Sequence, residues 1–235
     1  VSELEIALAL GDDALIAAQR LAQWCSRAPD LEEDIALTNI ALDQLGAARL
    51  LLSLAGELEG SGRGEDDLAY LRSDREFRNL LLVELPDADF AVAVAKLLFL
   101  AAYQRDRYQE LATGGEGGRL AGIGATAVKQ SAYHLDYAAL WTLRLGDGTD
   151  ESHARMQRAV DELWPYTYEP YEADAAGRAE WLATVEPVLA EAGLARPAEG
   201  GWAPGGGRSG RHTEHLSYLL AEMQVLHREH AGAQW

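Results

Sequence analysis

Val128-Lys129-Gln130-Ser131-Ala132-Tyr133-His134-Leu135 decides how the chain is read. It lies in a longer run, 119–145, in which Leu120, Ile123, Ala127, Ser131, His134 or Leu135, Ala138, Trp141 or Thr142, and Leu145 recur every three to four residues. That is one apolar face of an α-helix. Ser131 and His134 both fall on it. A small polar residue followed three positions on by a histidine has the spacing of a metal-ligand helix with one ligand missing.

Outward from this helix the same period repeats. The spacing predicts helices over 3–27, 31–59, 66–72, 80–85, a long one beginning after Asp87 or Asp89 and running through Leu111, then 119–145, 151–171 with a break at Pro165, 179–191, and 213–229. Asp30 with Glu33, and Ser73 with Glu76, have the spacing of capping boxes. Alternating β-branched runs are nearly absent, so strands are not expected. Four long helices in two pairs, separated by a short helical crossover and followed by smaller helices, predict an all-α, ferritin-like four-helix bundle with a crossover connection and additional C-terminal helices. A single domain over 1–235 is expected.

The bulk chemistry narrows the function. Lys and Arg number 20 against 38 Asp and Glu, a net charge of −18. Such a surface repels a phosphate backbone, so nucleic acid is not an expected partner. Cys25 is the only cysteine, which excludes an internal disulfide and suits a reducing compartment. The first ten residues carry Glu3 and Glu5 and no basic segment, unlike a signal peptide. The most apolar stretch, 91–102, is too short to span a bilayer, so no membrane segment is expected and the location is read as cytoplasmic.

Several further groups invite a chemical reading. Gly205-Gly206-Gly207-Arg208-Ser209-Gly210-Arg211 offers backbone N–H groups and two cations before a helix N-terminus, a place for a phosphate or carboxylate through Arg208 and Arg211. The plain alternative is a surface loop. His212, Glu214 and His215 could be zinc donors, but Thr213 there reads more simply as a helix cap. Trp202 and Trp235, in loop and tail, are expected as interface anchors, with His212 and His215 beside them.

Asp43-Gln44-Leu45-Gly46-Ala47, the segment from Lys129 to His134, Gly146-Asp147-Gly148-Thr149-Asp150, His212-Thr213-Glu214-His215-Leu216, Ala221-Glu222-Met223-Gln224 and the terminal Gln234-Trp235 together resemble the C-type subunits of bacterial phenylacetyl-CoA ring epoxidases. The resemblance spans essentially the whole chain. It implies kinship with the di-iron catalytic A-type subunits, in which two helices each supply a Glu and two others each supply Glu-x-x-His. Carried onto this chain, those positions fall at Ala17, at Gln44 and Ala47, at Ala101, and at Ser131 and His134. The resemblance therefore implies no metal and no redox cofactor in this chain, with the di-iron pair in a partner catalytic subunit. It implies a structural subunit, not an enzyme by itself, that docks on that partner and on other subunits, with contact to phenylacetyl-CoA and self-association as further expectations. An active di-iron oxygenase or iron store, and a stand-alone acyl-CoA binder, are the alternatives.

Overall fold

The computed structural model describes residues 1–114, 118–230 and 232–233. Every element of regular structure among them is helical. The chain divides into two compact units, one formed by Val1–Pro86 with Gly206–Trp235 and the other by Asp87–Gly205.

The first unit is built on a helical hairpin, α1 (Glu3–Ala22) against α2 (Leu31–Glu59). Ser2 and Glu5 close a capping box at the start of α1. Asp30 caps α2 by accepting from the Glu33 N–H at 3.0 Å, and Gly60, at φ 68°, ends it in the left-handed conformation. Three short pieces follow: α3 (Glu65–Tyr70), a 3-10 turn over Asp74–Glu76, and the single turn α4 (Leu81–Glu84). The Glu76 carboxylate accepts from the Ser73 N–H and hydroxyl, both at 2.8 Å, yet the pair caps only that 3-10 turn. The run that follows is too short to propagate a helix.

The second unit pairs α5 (Phe90–Thr113) with α6 (Arg119–Gly146). Asp89, of the two candidate caps, is the one that accepts from Val92 N–H, at 3.0 Å. Gly124 lets the two helices approach: a Cβ there would meet the Tyr108 carbonyl oxygen at 2.8 Å and the Leu111 Cβ at 2.9 Å. Against this pair lie α7 (Asp150–Leu163) and α8 (Ala175–Glu191), joined by 3-10 turns over Trp164–Thr167 and Glu169–Tyr171, with Pro165 and Pro170 as their second residues. Their junction is aromatic. Phe99, Trp164 and Trp181 meet with ring centroids 5.5–5.7 Å apart, and the Trp181 indole donates to the Phe99 carbonyl at 3.1 Å. The last helix, α9 (Glu214–Glu229), returns to the first unit, against α3 and α4. The fold is all-α and ferritin-like in plan: two long helical hairpins, a crossover, and added C-terminal helices.

α2 is apolar on more than one side, and Ile35, Leu42 and Leu45 are exposed. The buried side is Leu37, Ile40, Gln44, Ala47, Ala48, Leu51 and Ala55. The helix is apolar on two sides, so periodicity alone did not separate the packed side from the open one. The same double apolarity corrects the expectation that no run approaches a membrane span. Among the described residues α2 is long and apolar enough by length and composition, a test that core helices also pass.

Candidate functional site

The family resemblance puts the expected di-iron ligand positions on the four long helices. In the first unit, Ala17 on α1 and Gln44 and Ala47 on α2 are buried, at 5%, 3% and 8% exposure. In the second, Ala101 on α5 and Ser131 and His134 on α6 are more deeply buried still. The i, i+3 spacing puts Gln44 with Ala47, and Ser131 with His134, on common faces. These positions supply methyl groups, one amide, one hydroxyl and one imidazole. Neither hairpin offers a carboxylate there, and two metal cations in a dry core need several to balance their charge.

A shift of one helical turn does not rescue the ligand set. One turn before Ala17 stands Asp13, fully buried. Its carboxylate already accepts from the Leu80 N–H at 2.7 Å and from both terminal nitrogens of Arg208, at 3.0 and 2.6 Å. A cation thus faces it where a metal ligand would face a metal. Near Ala101 the charged neighbours on α5 are Lys96, paired with Asp87 at 2.5 Å, and the Arg105–Asp106 pair. Among the described residues no group of three or more His, Cys, Asp or Glu side chains is arranged to hold a metal ion. The residues present do not fit a di-iron pair.

Instead, the first unit contains a buried ionic network that the sequence did not reveal. Asp12 is fully buried and bonded through both oxygens to Arg72, itself 2% exposed, while the Arg78 N–H donates to it at 2.8 Å. Glu84 accepts from Asn79 at 2.9 Å, from the Thr213 N–H at 2.6 Å, and pairs with His212 Nδ1 at 2.8 Å. The Glu84 carbonyl receives Arg20 Nε at 3.0 Å. Burial pushes the Asp13 carboxyl above its ordinary range, against the opposing pull of Arg208. One signal was available: Asp12-Asp13 sits inside the otherwise apolar stretch from Leu8 to Ala18, and buried charge needs partners.

The network gives the glycine-rich segment a different role from the one expected. Gly206 and Gly210 take φ values of 110° and 78°, which turn the chain so that Arg208 reaches Asp13 and the Ala9 and Arg78 carbonyls. Arg208 is therefore engaged by the chain's own carboxylate and carbonyls, not presented to a phosphate. The helix N-terminus that follows does meet an anion, but that anion is Glu84. Arg211 is exposed.

Of the expected interface residues, Trp202 is open, 68% exposed and edge-on to Tyr166 with centroids 5.6 Å apart. His212 is not at a surface: its side chain is 3% exposed, between Glu84 and the Phe77 carbonyl, where burial with two acceptors outweighs any outward role. His215 is half-buried. Trp235 lies outside the described residues, as does the terminal Gln234-Trp235 motif. Arg49 pairs with Glu65 at 3.1 Å.

Comparison with known proteins agrees with the helical plan. The family model described as phenylacetic acid catabolic protein, PaaA_PaaC, matches residues 2–235. The chain is 44% identical over 243 residues to the C subunit of the 1,2-phenylacetyl-CoA epoxidase of Escherichia coli (strain K12), covering 97% of each. A match of that extent leaves no part of either hairpin unaccounted for, and the chain belongs to the phenylacetic acid catabolic protein family.

Proposed function

We propose that this chain is a non-catalytic subunit of a phenylacetyl-CoA epoxidase. It docks on the di-iron catalytic subunit, holds it in its working form, and carries no metal of its own. The observation that carries the reading is the donor set on the long helices, in which Ala17, Gln44, Ala47, Ala101, Ser131 and His134 provide no carboxylate. The name of the Escherichia coli relative, a subunit of an epoxidase, supports membership in a multi-subunit enzyme. A cytoplasmic location accords with this role.

The open side of α2 is the docking face in this proposal. Leu31, Ile35, Leu42 and Leu45 lie along one side of the helix at 39–69% exposure. A row of large apolar side chains facing water is what a subunit interface covers. Its occupant is an apolar surface of the catalytic subunit.

Co-expression with that subunit tests the reading. The expected result is co-purification, and phenylacetyl-CoA-dependent turnover that falls when this chain is omitted. Leu42→Glu should leave the isolated chain folded, because the residue is 59% exposed, and should weaken association by about 30-fold if Leu42 lies in the centre of the interface. Full turnover without the chain contradicts the supporting role. Unchanged association of Leu42→Glu contradicts the docking face.

A further inference from the structure

The second unit holds a buried cation whose better hydrogen-bonding edge makes no hydrogen bond and only a long ion pair, to Glu199. Arg178, in the first turn of α8, is 9% exposed. Its guanidinium lies among four aromatic rings, with Cζ 4.4 Å from the Trp181 centroid, 4.5 Å from Tyr168, 5.3 Å from Trp164 and 5.9 Å from Tyr171. All are within cation–π range. Nη1 donates to the Thr167 carbonyl and hydroxyl, both at 3.0 Å. Nε and Nη2 are buried and have no hydrogen-bond partner among the described residues. Those two nitrogens form the side-on fork that receives a carboxylate or phosphate through two parallel N–H···O bonds.

The surroundings are also short of acceptors. Trp164 Nε1 and the Tyr171 hydroxyl, in the same aromatic cluster, are buried and likewise without a hydrogen-bond partner among the described residues. Four unpaired polar atoms in one cluster is far from the usual near-complete satisfaction of buried groups. Desolvation lowers the Arg178 pKa, an effect that a bound anion would offset. One carboxylate stands close by: Glu199 Oε1 is 3.8 Å from Nη2, beyond hydrogen-bond range. Glu199 is instead held by the Tyr168 hydroxyl at 2.9 Å and by Arg196 at 2.5 Å. It lies on a coil with positive-φ glycines on both sides, Gly193 before it and Gly200 and Gly201 after it.

We propose that the Nε–Nη2 edge of Arg178 is the receptor for a small oxyanion, a carboxylate or phosphate group, with Glu199 as the tethered carboxylate that competes for it. This site belongs to the isolated chain and does not depend on the subunit role proposed above.

Calorimetric titration of the full chain with inorganic phosphate, and separately with acetate, at constant chloride tests the site. Binding should be saturable for at least one of the two, and the tighter of them identifies the class. Glu199→Gln, at a half-exposed position, should fold normally and bind about tenfold tighter, because it removes a competitor held at high effective concentration. Arg178→Lys keeps the charge and removes the fork, so binding should be lost. Emission from Trp164 and Trp181 should change on binding in the wild type and in Glu199→Gln. Absence of saturable binding of both anions to the wild type and to Glu199→Gln overturns the proposal, as does equal affinity in all three proteins.

Discussion

Asp12 and Asp13 are the residues on which the first unit turns. Each is fully buried, and each is tolerated because an arginine faces it. Removing one partner of such a pair leaves an uncompensated buried charge, which costs about 3–5 kcal/mol. Asp12→Asn should therefore lower the urea midpoint sharply, with Arg72 left at 2% exposure. Arg49→Ala breaks a pair in which Arg49 is 70% exposed, and should cost no more than about 1 kcal/mol. Equal losses in the two variants would remove the argument from burial. The hydrogen bond from Arg63 lowers Glu59 to about 2 from the usual 4.5. A carboxyl depressed in the folded state stabilises above its unfolded pKa, and that stabilisation fades as pH falls through the folded value. The melting temperatures of wild type and Glu59→Gln should then converge as pH drops from 4.5 toward 2. The buried pairings of Asp12 and Asp13 were not legible in the sequence. Asp13 and Arg208 lie 195 positions apart, and composition does not say which arginine a buried aspartate will meet.

Helices, by contrast, were largely legible, because a period of 3.6 is written in consecutive residues. The bounds of α2 match the reading at both ends, since Asp30 caps one end and Gly60 turns the other. α1 was read too long: after Ala22 the chain passes through turns to Ser26, at φ 64°, a conformation no periodic pattern announces. The glycines of α6 separate local propensity from packing. Gly122 has no atom within 4 Å of an added Cβ, so Gly122→Ala should stabilise by about 0.5–1 kcal/mol. Gly124 faces the Tyr108 carbonyl and Leu111, so Gly124→Ala should destabilise by about 1–3 kcal/mol. Thermal unfolding of the two variants checks this, and shifts of the same sign would contradict the close approach of α5 and α6. Which side of α2 is packed was not legible, because both sides are apolar.

For the molecule as a whole, the sequence conveyed the helical class and the family resemblance, and the match over residues 2–235 agrees with both. The resemblance carries the expected ligand positions onto Gln44 with Ala47 and Ser131 with His134, pairs that each lie within a single helix. The meaning of the glycine-rich segment was not legible, because Arg208 is oriented by residues from the other end of the chain. The account depends on expected ligand positions that carry no carboxylate to hold iron. The most direct measurement is metal analysis of the chain purified after expression in iron-replete medium, apart from its catalytic partner. The account predicts iron far below one ion per chain. A retained iron pair, removable only by chelation under denaturing conditions, would contradict it.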